Sequence, residues 1–208
     1  MPRMFATLAV AVCIVGTGLV TAGSQANTPA QLPAPEPSIS ISTATVETYV
    51  SDDVQAAGSP PSPYIEASSA EDAEQKFQAL EDGGAAARAT SVKYGPCTLY
   101  PSVMYLRASS KYGAVGSKPY TKCTVPVSSI RHAADLRYKS FIWWKKAGPT
   151  TTGGNSGVAS YTQKNIAYNC KSKESTGWSG TTAGTISYRG KKYYARVYQP
   201  VKPLKCGG

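Results

Sequence analysis

Residues 130–146 read IRHAADLRYKSFIWWKK. Taken at period two, one face of this stretch is Ile130, His132, Ala134, Leu136, Tyr138, Ser140, Ile142 and Trp144, and it is mostly apolar. The other face is Arg131, Ala133, Asp135, Arg137, Lys139, Phe141, Trp143 and Lys145, charged until its last few residues. Such alternation predicts a half-buried strand or a tight hairpin. Further candidate strands flank it at 99–108, 114–124, 158–169, 185–188 and 193–199, with one more near 174–179. Polar turn clusters at 109–111, 148–157 and 189–191 separate them. Short strands joined by polar turns predict an all-β fold, a small antiparallel sandwich or barrel of about six to seven strands.

Composition breaks sharply near residue 90. Residues 91–208 carry 19 basic side chains and two acidic ones, Asp135 and Glu174, a net of +17. Residues 27–90 carry ten acidic and two basic ones, a net of −8. The acidic stretch is rich in Pro, Ser and Ala, and it offers little apolar surface to offset the entropy of ordering, so it is expected to be mostly disordered. One short helix is the exception, near residues 70–82. Ser68 with Glu71 makes a capping box, Gly83-Gly84 a stop, and Ala70, Ala73, Phe77 and Leu80 a thin apolar stripe. The expected division is a signal peptide at 1–26, an acidic linker or pro-region at 27–90 and a basic β domain at 91–208. The acidic segment then acts either as a stalk or as a weak intramolecular competitor for ligands of the basic domain.

Residues 1–26 have the order of a secretory signal: Arg3, an apolar run from Phe5 to Val15, small residues, then Ser24-Gln25-Ala26. The apolar run is shorter than the roughly 20 residues that span a bilayer, so no transmembrane segment is expected after cleavage. The protein is therefore expected to be secreted or associated with the cell envelope. Cleavage removes Cys13 and leaves Cys97, Cys123, Cys170 and Cys206. An even count in an exported chain predicts disulfides, and four cysteines allow three pairings. We favour Cys123–Cys170 within the core and Cys97–Cys206 tying the ends of the domain. No two of the four are closer than 26 residues, which argues against zinc. No metal or other cofactor is expected.

Thr121-Lys122-Cys123, Pro126-Val127, Ile130, Leu136-x-Tyr138 and the later Cys170 make a pattern. It resembles one that recurs in small exported actinobacterial proteins, themselves largely uncharacterised. The resemblance covers roughly residues 97–206. It implies a compact disulfide-bearing β domain and no particular activity.

Catalytic material is thin. Gly153-Gly154-Asn155-Ser156-Gly157 resembles the nucleophile loop of trypsin-like serine proteases, and His132 and Asp135 precede it in the right order. That chemistry needs His and Ser on two facing barrels, and 118 residues do not hold two barrels. The stretch reads instead as a flexible hairpin loop. Gly113 to Lys118 is Gly-rich but lacks the phosphate-loop spacing. His132 and Glu174 are the remaining candidates for general acid–base work, as in a small secreted ribonuclease. Such an enzyme would place both in one open cleft. Asp135 reads as a local ion-pair partner.

Basic and aromatic residues interleave in two clusters. One is Trp143, Trp144, Lys145 and Lys146. The other runs through Arg189, Lys191, Lys192, Tyr193 and Arg196, and Lys171, Lys173 and Trp178 make a weaker third. Cations beside π faces suit anionic polymers, and +17 on one small domain attracts polyanions. The expected role is that of a non-enzymatic exported module binding an anionic polymer or envelope surface: cell-wall glycopolymer, anionic lipid or nucleic acid. The alternatives are a small secreted hydrolase such as a ribonuclease, and a toxin-like or inhibitory protein with a protein partner.

Overall fold

The computed structural model describes residues 54–82 and 92–208. The expected signal peptide, residues 27–53 and Gly83-Gly84 lie outside the described residues. In chain order the elements are β1 (Ser62–Glu66), α1 (Ala70–Glu81), β2 (Tyr94–Tyr100), β3 (Tyr105–Arg107), β4 (Ala114–Gly116), β5 (Tyr120–Ser140), β6 (Trp143–Lys146), β7 (Thr151–Thr162), β8 (Ala167–Asn169), β9 (Ser172–Tyr188) and β10 (Lys191–Gly207).

Among the described residues the fold is mostly β, with one short helix. Five antiparallel strands close into a barrel in the order β2-β1-β10-β9-β5, sealed by pairing of β5 back onto β2. The closing strand is the one that the alternating stretch predicts, and it is longer than expected at 21 residues. One edge of β5 serves β2 near Cys123 and then β9 from Ser129 to Tyr138. Its other edge serves β7 and then β6. Pro126 has no N–H for the ladder, and the β5–β7 register shifts there, between Lys122 and Val127. Separately, β3, β4 and β8 form a three-stranded sheet.

The barrel interior takes Ile130 from β5 together with Tyr64, Leu99, Ile186, Ala195 and Val197, all fully buried. A second core lies toward the small sheet, where Met104, Val115, Leu136, Ile166 and Trp178 meet. On the outside of the barrel Ala133 and Ala183 lie opposite each other, and their small side chains leave room for α1, which packs Ala73 and Phe77 on them and on Ile65 and Tyr194. This corrects the reading of β5 as having one solvated charged face: Ala133, Asp135 and Arg137 on that face are buried.

The boundary at residue 91 is also corrected. β1 is an interior strand of the barrel, with Ile65 opposite Tyr194 of β10 and Ser62 opposite Leu99 of β2. Tyr64 and Ile65 are adjacent, so their side chains leave opposite faces of the strand. Tyr64 fills the barrel and Ile65 fills the space under the helix. The average composition of residues 27–90 conceals these two side chains. The helix forms where expected, with its cap one residue later: Ser69 Oγ accepts from the Asp72 N–H at 3.1 Å. The Asp72 carboxylate in turn accepts from the Ser68 N–H, and this bond leads the causes that lower its pKa.

Two disulfides join the four cysteines, and neither is the favoured pairing. Cys97–Cys123 crosses directly between β2 and β5, and Cys170–Cys206 ties the residue after β8 to the end of β10. The reason is register. β9 and β10 pair until Gly207 lies opposite Ser172, which sets Cys206 beside Cys170. Two disulfides fit an oxidising, extracellular compartment. Among the described residues no helix is long and apolar enough to cross a membrane.

Candidate functional site

His132 points into the barrel and is only 2% exposed. Its Nε2 lies 2.7 Å from Thr121 Oγ1, which lies 2.7 Å from the Tyr64 hydroxyl. Gly184 is the cross-strand neighbour of His132, and a Cβ there would collide with that hydroxyl. Burial in this apolar shell pushes the imidazole pKa down to about 3, so the ring is neutral. The Tyr64 hydroxyl is pushed well above its ordinary value by the same burial.

Glu174 is exposed on β9, ten residues before the Gly184 that neighbours His132. That is roughly 33 Å of strand path. The two do not share a cleft, as a ribonuclease pair would. The Gly153–Gly157 stretch is not a loop but the middle of β7. Gly153 lies opposite His132, and Ser156, three residues on, leaves the other face of the strand. A nucleophile and base are therefore not assembled. Asp135 is the ion-pair partner expected, 3.2 Å from Lys146 Nζ.

The two basic–aromatic clusters sit at opposite ends of the β5–β9 ladder, which runs from Ser129 to Tyr138 of β5. Near Ser129, the β9–β10 turn carries the second cluster, and most of it is engaged in the fold. Tyr193 is buried in the barrel, against Gly95. The Arg196 side chain is 3% exposed, and it binds Glu74 and Glu81 of α1. Its guanidinium lies over the rings of Phe77 and Tyr198. Lys191 pairs with Glu66 at 2.8 Å, and the bond holds that carboxyl below its usual pKa range. Arg189 and Lys192 remain exposed, with Arg189 over the Tyr188 ring. A cleft of about 730 Å³ opens beside this turn, and its charged lining is Glu66, Asp72, Lys76, Lys93, Lys191 and Lys192. Lys76 pairs with Asp72 and Lys191 with Glu66, which leaves Lys93 and Lys192 as its surplus charge.

The other end of β5 is different. β5 and β6 form a two-residue hairpin with Phe141-Ile142 at its tip and Ser140 opposite Trp143. Phe141 is 91% exposed, Ile142 63% and Trp143 68%. Trp144 points the other way along the pleat and is half-buried, with the far end of its ring beside Gly177. It anchors the root of the hairpin while Trp143 projects. The Thr176 hydroxyl donates to the Lys139 carbonyl and ties the same root to β9. Lys145, Tyr138, Trp178 and Lys202 share one row across four strands. Lys139, Lys145, Lys202 and Lys205 are exposed, and Lys146 is held by Asp135 and Thr150.

The sequence reading found Trp143, Trp144, Lys145 and Lys146, and missed Phe141, Ile142, Lys139 and Lys202. The signal was present, since FIWW is a run of four large apolar residues with Lys139 two residues before it and Lys145-Lys146 directly after it. Lys202 joins them only through the β9–β10 register. Compared with protein-family models, with curated proteins and with solved structures, this chain finds no match in any of the three.

Proposed function

We propose that this chain is an exported, non-enzymatic module that binds an anionic polymer or surface. The observation that carries the reading is the segregation of charge. Residues 54–82 hold six acidic side chains and one basic, and residues 92–208 hold nineteen basic and two acidic, leaving a net of +12 on the described residues. The acids of the first group gather on β1 and α1, where Glu66, Glu74 and Glu81 are spent on Lys191 and Arg196. The end of β5 bearing the hairpin keeps Lys139, Lys145, Lys202 and Lys205 exposed, against one exposed carboxylate, Glu174, beside the Ser175 that faces Lys205, and the positive excess there draws in polyanions. The separation of His132 from Glu174 favours binding over hydrolysis.

The test is binding of residues 27–208 to heparin, RNA and anionic vesicles across a salt series. Affinity is expected to fall steeply with salt, as counterion release requires. Each Lys contributes about 1 kcal/mol near an anionic surface, so K139Q/K145Q/K202Q lowers affinity about a hundredfold. Negligible binding of the parent chain to all three probes at low salt removes the reading.

A further inference from the structure

The hairpin tip invites a narrower statement, which rests on the polyanion reading. We propose that Phe141, Ile142 and Trp143 insert into the interfacial region of an anionic lipid bilayer while Lys139 and Lys145 lie among the headgroups.

Three observations carry it. The first is exposure: consecutive Phe, Ile and Trp side chains are each more than half open to water at 91%, 63% and 68%. Single exposed apolar residues need no explanation, but a contiguous apolar projection marks a surface that becomes covered. The second is conformation. Phe141 has φ 58, in the left-handed region that crowds a Cβ against the backbone. Turn chemistry favours Gly, Asn or Asp at such a position. The chain shows what it uses when folding alone decides, because the β9–β10 hairpin turns through Arg189-Gly190, polar and ending in Gly, with φ 49 and 73. In the β5–β6 hairpin an aromatic residue occupies a backbone position that disfavours it and makes little contact in return. Folding does not account for that choice, and a partner of apolar chemistry does.

The third observation is charge. Lys139 stands one residue before the hairpin pair Ser140–Trp143, and Lys145 two residues after it, so cations lie just behind the apolar tip on both strands. An apolar tip with a collar of ammonium groups matches the layering of an anionic membrane, where acyl chains lie beneath negative headgroups. A soluble polyanion such as RNA or a glycopolymer offers charge and rings but no apolar layer for Ile142. The root of the hairpin is fixed by Trp144 against Gly177 and by the Thr176 hydroxyl on the Lys139 carbonyl, so the tip is held out from the body. Insertion by roughly 5–10 Å, the depth usual for interfacial elements, immerses the three side chains and leaves the barrel outside.

The experiment uses residues 27–208 with vesicles of phosphatidylglycerol mixed with phosphatidylcholine, vesicles of phosphatidylcholine alone, and heparin as the soluble polyanion. Two variants are compared, F141S/I142S/W143S and W143F. The substituted side chains are exposed, so both are expected to keep the parent melting temperature. The parent chain is expected to sediment with the anionic vesicles, and acyl chains brominated near the headgroup are expected to quench its tryptophan emission. W143F retains vesicle binding and loses that quenching, which assigns it to Trp143 rather than to half-buried Trp144 or buried Trp178. The serine variant loses at least about tenfold in vesicle affinity and keeps its heparin affinity. Equal vesicle binding by the serine variant and the parent overturns the proposal, as does absence of quenching in the bound parent, which needs no variant at all. Heparin binding without vesicle binding overturns the bilayer proposal and leaves the polyanion reading standing. Binding to neither overturns the bilayer proposal, and with RNA also unbound it overturns both.

Discussion

Arg196 Nη1 donates to both carboxylate oxygens of Glu74, at 2.7 and 2.6 Å, across 122 residues of chain. Nη2 donates to Glu81 at 2.9 Å. This buried guanidinium joins α1 to the outside of the barrel. Glu74→Gln leaves a positive charge under the helix with a weaker partner, and its expected cost is about 2 kcal/mol. Glu81 is half exposed, so Glu81→Gln is expected to cost less than about 1 kcal/mol. Urea denaturation of the two variants at neutral pH checks the order. Equal midpoints would remove the anchoring role of Glu74.

The barrel needs β1. A chain of residues 91–208 lacks the strand between β2 and β10 and loses the fully buried Tyr64 and Ile65. Removing two such side chains costs about 5 kcal/mol or more, comparable to the whole stability of a domain. Residues 54–208 are therefore expected to melt cooperatively and residues 91–208 are not. Limited proteolysis that yields a stable fragment beginning near Lys93 would contradict this. It follows that comparing residues 27–208 with 91–208 is no clean test of an acidic mask, because the shorter chain also lacks a barrel strand.

His132 makes stability depend on pH. Its folded pKa of about 3 lies below the ordinary value of 6.5, so the unfolded chain takes up the proton first. The stabilisation is present above pH 6.5 and is lost as pH falls toward 3, by up to about 5 kcal/mol for this group. It is the only His in the chain, so its imidazole resonances are assigned without ambiguity. They are expected to stay at the neutral position from pH 8 to about pH 4 in the folded protein. A midpoint near 6.5 would mean that the ring is not enclosed by the barrel.

Non-reducing peptide mapping is expected to recover Cys97 with Cys123 and Cys170 with Cys206. The closed loops span 26 and 36 residues, and each bridge is expected to stabilise by about 3–4 kcal/mol. C97A/C123A should therefore lower the denaturation midpoint substantially while the other bridge persists. Recovery of Cys123 linked to Cys170 would contradict the β2–β5 pairing.

Period-two alternation in residues 130–140 was legible because neighbouring side chains of a strand face opposite surroundings, and that local fact is written residue by residue. The helix at 70–81 was legible for the same reason, through its cap and apolar stripe. So was the excess of positive charge, which is a matter of composition. β1 was not legible, because five residues between prolines and serines carry no period, and only the open slot between β2 and β10 makes them a strand. The disulfide pairing depends on the β2–β5 and β9–β10 registers, which involve partners far apart in sequence. Arg189 to Arg196 looked like one basic cluster. The fold divides it, because alternate residues of β10 enter the barrel or face α1, leaving Arg189 and Lys192 in water. In the opposite sense, Trp143 and Trp144 looked like one pair within a single cluster, and the tertiary structure half-buries Trp144 and puts Trp143 outside with Phe141 and Ile142. The sequence determined most of the β segments, β1 and the first half of β7 excepted, and where the charge lies. Packing, through strand register and the placement of α1, decided which of those charges and rings are free to meet a ligand.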